Sequence, residues 1–311
     1  MKQFDADSTR AALPFTALIA AIERMFVAGC AVPPRHVHKI GSGQDEQGTV
    51  LIMPAWYGGY MGIKTVNIFP GNAARGLPGL FSTYILYSAA TGQPLASIDG
   101  DEITARRTAA ASALAARYLA RRDARRLLVV GSGRVAMLLP QAYRALLPIE
   151  EITVWSRNPA AAARMAAQLS FDDCAVRAST QLEAAVGQAD VVSCATLATE
   201  PVIRGAWLQP GSHLDLIGGF TPQMREADDD CFKGSALYVD TVEALQKAGD
   251  LLGPMARGVF APSDVAGTLE ALCRAQAGGR QSDQSRTVFK SVGTALEDLA
   301  AAILVYESAP A

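Results

Sequence analysis

Two patterns of apolar and polar positions divide the chain. Up to about residue 100, apolar residues mostly alternate with polar ones, the period of a half-buried strand; beyond about residue 125 they form short unbroken blocks separated by helical spacing. Residues 13–28 (LPFTALIAAIERMFVA) have helical spacing, with Thr16, Glu23 and Arg24 breaking the apolar run. PPRHVHKI predicts a turn into a strand, TVLIMPAW and MGIKTVNIF predict two strands parted by YGGY, and GNAARGLPGL a glycine-rich loop. FSTYILYSAA and PLASIDG predict a strand pair joined by TGQP. The first hundred residues thus predict an antiparallel or mixed sheet with one leading helix. ITARRTAAASALAARYLA (103–120) predicts an alanine-rich helix, and the Asp-Gly-Asp-Glu before it puts acids near the positive helix N-terminus.

The second pattern begins with RLLVVGSG (126–133), a buried strand running into glycines. EITVWSR, ADVVSCATL, HLDLIGGF and ALYVD follow, each separated by helical or loop segments. Strands alternating with helices predict a parallel doubly wound sheet. The last helix, SVGTALEDLAAAILVYES (291–308), has a strongly apolar face and is longer than a crossover needs, so it is expected to return to the first domain.

Length and composition bound the picture. The 311 residues suggest two domains, at about 150 residues each. Half the residues are hydrophobic, enough for a large core, and the net charge of −2 lacks the basic excess of a nucleic-acid binder. The polar start MKQFDADSTR is unlike a signal peptide, and no run approaches the roughly 18–20 apolar residues of a membrane span. Five scattered cysteines (Cys30, Cys174, Cys194, Cys231, Cys273) without a C-x-x-C pair read as reduced thiols of a cytoplasmic protein. His36 and His38 have no acidic or cysteine partner nearby in sequence, so no metal site is expected.

LLVVGSGRVAMLL fits strand, G-x-G-x-x-A, helix. Gly131 permits the tight turn, Gly133 a close approach to a pyrophosphate, and Ala136 close helix–strand packing, with the helix N-terminus facing the phosphates. In NAD-preferring sites the next strand ends in an acid that accepts from the ribose 2′-hydroxyl. Here it ends Ser156-Arg157-Asn158, and Arg157 suits a 2′-phosphate, so NADP(H) is the expected cofactor, with NAD(H) as the alternative.

Cations stand at unusual places in the first domain. In MGIKTVNIFP, Lys64 shares a strand face with Gly62, Val66 and Ile68, and burying an ammonium there requires a partner. Arg35 follows Pro-Pro at a strand entry. Arg106 and Arg107 lie near a helix N-terminus that disfavours cations, so at least one should face an anion. Together they suggest a pocket for a carboxylate or a phosphate. RRDARR (121–126) reads as a solvated helix end and EADDD (226–230) as a solvated face.

Over nearly its whole length the chain resembles the ornithine cyclodeaminase/μ-crystallin family. The matching segments are Met53-Pro54, the GIKTVN strand, ITARRTAAASALA, GSGRVA, TVWSR, GSHLDLIGGFTPQMRE and FKSVGTALEDLAAA, in order and spacing. The resemblance implies a homodimer and an α/β architecture in which a Rossmann doubly wound parallel sheet (119–290) is inserted in an α+β substrate and dimerisation domain (1–118 plus 291–311). It implies hydride chemistry at the α-carbon of amino or imino acids. Arg35 and Arg107 would clamp the substrate carboxylate, Lys64 would be the active-site lysine, and Met53 and Phe220 would line the substrate. Gly131, Ser132, Gly133, Arg134, Val135 and Ala136 would form the phosphate loop, and Ser156, Arg157 and Asn158 the ribose end. Thr196, Ser291 and Val292 would lie at the cofactor.

Two positions depart from the cyclodeaminase pattern. Where that pattern has an acid before Met-Pro and an aspartate after the double glycine, this chain has Leu51 and Phe220. Neither can bind or deprotonate the second amino group of ornithine. The segment GGFTPQMRE instead resembles the branch that reduces cyclic ketimines. The expected reaction is NAD(P)H-dependent reduction of Δ1-pyrroline-2-carboxylate or Δ1-piperideine-2-carboxylate to L-proline or L-pipecolate. The alternatives are ornithine cyclodeaminase, an alanine dehydrogenase-like or opine-type enzyme, and a non-catalytic μ-crystallin-like NADPH-dependent binder.

Overall fold

The computed structural model describes residues 1–41 and 47–308; the last three residues of the segment 291–311 lie outside the described residues. In order the elements are β1 (Lys2–Phe4), α1 (Ala6–Ala12), α2 (Phe15–Ala28), β2 (His36–Ile40), β3 (Gly48–Tyr57), β4 (Tyr60–Ile68), β5 (Leu80–Ser88), β6 (Pro94–Asp99) and α3 (Gly100–Leu119). There follow β7 (Arg126–Val130), α4 (Arg134–Arg144), β8 (Glu151–Trp155), α5 (Pro159–Gln168), β9 (Ala175–Ala178), α6 (Leu182–Val186), β10 (Val191–Cys194) and β11 (His213–Leu216). The chain closes with β12 (Ser235–Val239), α7 (Ala244–Lys247), α8 (Gly249–Ala256), β13 (Val265–Thr268), α9 (Leu269–Cys273), β14 (Arg286–Lys290) and α10 (Ala295–Ser308). They group into two compact units, Met1–Arg107 with Thr294–Ala311, and Thr108–Gly293.

The first unit is built on a mixed sheet ordered β1-β6-β5-β4-β3-β2, in which β1 runs parallel to β6 and every other pair is antiparallel. Two helices lead into it where the sequence predicts one. Asp5 caps α1 by accepting from the Ser8 N–H, and Pro14 separates α1 from α2. The polar stretch ADSTRAA carries no apolar stripe, so periodicity does not reveal it. α10 packs along α2 and across β3 and β4. It starts at Ala295, later than the sequence suggests, because Asp240 accepts the N–H groups of Val292 and Gly293 and holds that turn out of the helix.

The second unit is an eight-stranded, wholly parallel sheet ordered β13-β12-β14-β11-β10-β7-β8-β9. Strands covered on both faces read as continuous apolar runs, and Leu127–Val130 and Val191–Cys194 are buried throughout. This is the doubly wound sheet the sequence predicts. β9, β13 and β14 escape the sequence pattern: the first two are four-residue edge strands, and Arg286 and Lys290 frame the third. Among the described residues no single helix is long and apolar enough to cross a membrane, and no group of three or more His, Cys, Asp or Glu side chains could hold a metal ion.

Candidate active site

In the first unit β4 buries Gly62, Lys64 and Val66, the face that the alternation assigns to Lys64. Lys64 is 1% exposed; its Nζ lies 2.7 Å from Asp298 Oδ2 and 3.2 Å from Thr104 Oγ1. Arg107 Nε donates to the other Asp298 oxygen at 2.9 Å, and Arg107 Nη1 donates to Glu297 Oε2 at 2.7 Å. One carboxylate, on the first turn of α10, therefore bridges the lysine of β4 and the arginine of α3. Arg106 instead donates to Leu13 O at 2.9 Å and lies over the Phe15 ring at 4.5 Å with Glu102 nearby, so of the two neighbouring arginines it is Arg107 that is ion-paired with α10.

Burial pushes Lys64 down to about 8; Asp298 opposes this, while Arg107 and half-buried Arg35 reinforce it. Burial also raises Asp298, but Lys64 and Arg107 outweigh it and hold this carboxyl below its usual range. Lys64 and Arg107 thus pair with Glu297 and Asp298, and Arg35 lies close enough to Lys64 to add to its downward shift. Met53 pairs with Lys64 across β3–β4 and is buried, and Tyr84 pairs with it across β4–β5. The Tyr84 hydroxyl is buried with no hydrogen-bond partner, over Gly62, where a Cβ would come within 1.8 Å of it. Glycine is required at that point for the ring to fit.

In the second unit β7 runs into Gly131, whose φ of 123° and close approach to Ala195 O (2.4 Å from a would-be Cβ) exclude a side chain. Gly133 precedes α4 without a side-chain cap, so the positive helix N-terminus opens at Arg134, Val135 and Ala136, and Ala136 is fully buried. Ser132 Oγ donates to Ser156 Oγ at 3.1 Å, tying this loop to the end of β8. Arg157 is exposed there, and no carboxylate ends the strand. Asn158 caps α5, accepting from Ala160 and Ala161. Thr196 follows β10, Phe220 follows β11 and is 40% exposed, and Ser291 and Val292 follow β14. All these residues gather at the carboxyl ends of parallel strands, where doubly wound sheets bind ligands. The uncapped helix end and the glycine cradle fit a dinucleotide pyrophosphate.

Two charge runs differ from their sequence reading. Glu226 is neither solvated nor helical: it is fully buried and accepts from Thr196 and Gly218, and only the later part of EADDD reaches solvent. RRDARR is not a helix end either, since α3 stops at Leu119 and Arg126 opens β7; Arg121 and Arg126 both pair with Asp190. Sequence reasoning also passed over Glu297, Asp298 and Asp240. The available signal was an acid pair opening a helix that is otherwise apolar.

The family model of the ornithine cyclodeaminase/mu-crystallin family matches residues 9–311. The chain is 45% identical to a Delta(1)-pyrroline-2-carboxylate reductase of Paracoccus denitrificans, over 87% of this chain and 86% of that one. Its structure resembles the Thermococcus litoralis Delta(1)-pyrroline-2-carboxylate reductase in complex with NADH and L-proline, with a TM-score of 0.92 at 30% identity over 99% and 97% of the two chains. An archaeal alanine dehydrogenase dimer with bound NAD gives a TM-score of 0.91 at 30% identity, over 99% and 95%.

Proposed function

The chain belongs to the ornithine cyclodeaminase/mu-crystallin family, and from that membership we propose that it is an NAD(P)H-dependent reductase of cyclic α-imino acids. Its substrates would be Δ1-pyrroline-2-carboxylate or Δ1-piperideine-2-carboxylate, its products L-proline or L-pipecolate. The observation that supports this reading is the convergence of buried Lys64 and Arg107 with half-buried Arg35 near Lys64, a set of cations suited to a carboxylate. Leu51 and Phe220, where a cyclodeaminase has acids, favour a substrate with no second amino group.

Arg107 and Arg35 hold the carboxylate, and Lys64 aligns it so that the C=N carbon presents one face. When bound, the dinucleotide supplies the hydride that this carbon accepts. The imine nitrogen gains a proton as the C=N bond becomes C–N, and Lys64 Nζ is the donor. With a value near 8, Lys64 is mostly protonated at neutral pH yet gives up its proton more readily than an exposed lysine. Asp298 holds the ammonium in place, and solvent returns the proton after turnover. Arg134 and Arg157, exposed beside the phosphate loop and the ribose end, favour NADP(H) over NAD(H). The protein works as a homodimer: Val32, Val37, Ile40, Trp56 and Phe81 expose apolar surface on the first unit that a second copy would cover.

Steady-state oxidation of NADPH and of NADH, with the five- and six-membered imino acids, tests this. Turnover with either ring supports the reductase. Proline and ammonia from ornithine with NAD⁺ would replace it with the cyclodeaminase, and ligand-induced stabilisation without turnover would replace it with the binder.

A further inference from the structure

Resting on the reductase reading, we propose that Glu226 is a positioning residue: its buried carboxylate ties the loop after β10 to the loop after β11, and so sets Thr196 for the dinucleotide and Phe220 for the imine. One oxygen, Oε1, accepts the Thr196 N–H at 2.7 Å and the Thr196 hydroxyl at 2.8 Å. The other, Oε2, accepts the Gly218 N–H at 2.7 Å. β10 and β11 are adjacent parallel strands, so this one side chain spans the crevice edge between their carboxyl ends.

The surroundings are shaped around that carboxylate. A Cβ on Gly218 would lie 1.9 Å from Thr196 O and 2.6 Å from Glu226 Oε1, so only glycine lets the two loops come this close. Asp250, from α8, accepts the backbone N–H groups of Glu226 (2.7 Å) and Ala227 (3.1 Å) and fixes the residue from behind. Lys290 Nζ, on β14, lies 3.2 Å from Asp250 Oδ2 with both side chains fully buried. Glu226 is itself fully buried and touches no solvent, so it acts through the loops it holds.

The clamp depends on ionisation. An ionised carboxylate is acceptor-only and suits three donors. A protonated one must donate, and of the three groups it meets only the Thr196 hydroxyl can accept. Burial pushes Glu226 up to about 7, Lys290 opposing and Asp250 reinforcing the shift; buried Cys194, at the end of β10, also faces it. Acidification through neutrality therefore turns Oε1 into a donor to the Thr196 hydroxyl and weakens its hold on the Thr196 N–H, while Oε2 still accepts from Gly218.

The experiment measures NADH binding by fluorescence without imine, from pH 5.5 to 8.5, on the full chain and on Glu226→Gln. NADH is the probe because it has no 2′-phosphate to titrate. In the glutamine variant either amide orientation sets an NH2 group against a backbone N–H. The expected result is wild-type affinity that falls as pH drops through about 7, and a variant that binds NADH at least tenfold more weakly with that pH dependence gone. The imine KM of the variant should also rise more than its kcat falls, a split that mere loss of folded protein would not give. Wild-type affinity flat across this range, or a variant with wild-type affinity and KM, overturns the proposal. If the variant does not fold, the wild-type profile alone decides it. A wild type that binds NADH with the expected pH dependence but reduces neither imine leaves Glu226 in its role and refutes the reductase reading instead.

Discussion

Lys64 Nζ and Asp298 Oδ2 lie 2.7 Å apart, and neither side chain is more than 1% exposed. One comes from a strand in the first quarter of the chain and the other from its last helix. Desolvating an ion pair this thoroughly gives little net stability, but removing Asp298 leaves the Lys64 charge buried and uncompensated, which costs about 3–5 kcal/mol. Such a pair is better suited to holding a proton at a chosen place than to holding the fold together.

The pH profile should show that proton. Lys64 at about 8 lies below its ordinary value of 10.5. If protonated Lys64 is required, kcat/KM for the imine will fall tenfold per pH unit above about pH 8, since this ratio reports the free enzyme. The bound carboxylate adds negative charge beside Lys64, so the limb in kcat will lie at higher pH. The linkage to stability has the opposite direction. The unfolded chain binds the extra proton between about pH 8 and 10.5, so this group's contribution to stability rises with pH across that window and is least below pH 8.

Asp298→Asn removes the charge that keeps Lys64 protonated. The basic limb of kcat/KM should move below pH 8 by about one unit, and the variant should unfold more easily by about 3 kcal/mol in urea titrations. An unchanged limb would show that Asp298 does not govern the proton on Lys64.

Arg107 meets Asp298 and Glu297 at once, so Arg107→Ala will lose stability as well as carboxylate binding. Arg107→Lys separates the two effects. It keeps the charge but loses the planar fork, and the imine KM should rise about tenfold or more while the fold survives, as measured by kinetics and circular dichroism side by side. Unchanged kinetics would mean the anion clamp lies elsewhere.

Arg157→Ala should weaken NADPH binding about tenfold while changing NADH binding by less than about twofold, because only a 2′-phosphate needs the exposed guanidinium. Tighter binding of NADH than NADPH by the wild type would place the preference with NAD(H).

Phe220→Asp puts a carboxylate where a cyclodeaminase has one. Reduction of Δ1-pyrroline-2-carboxylate should fall, as a second anion opposes the substrate carboxylate. A gain in reductase activity would show that Phe220 does not line the substrate.

The sequence by itself determined the elements whose cause is local. Continuous apolar blocks wrote the parallel sheet, alternation placed Lys64 on the buried face of β4, and the spacing of Gly131, Gly133 and Ala136 marked the turn between β7 and α4. It also showed, from chemistry alone, that Lys64 and one of Arg106 and Arg107 needed an anion. Only the tertiary structure decided which protein anions they meet, because Glu297 and Asp298 come from the other end of the chain and carry no local sign of the strand they serve. Glu226 shows the same limit from the other side. Within EADDD it reads as one more surface acid; it is buried because the Thr196 and Gly218 N–H groups, at the ends of two separate strands, need one acceptor between them. Burial and pairing are set by which strands lie side by side, and no window of sequence contains that information.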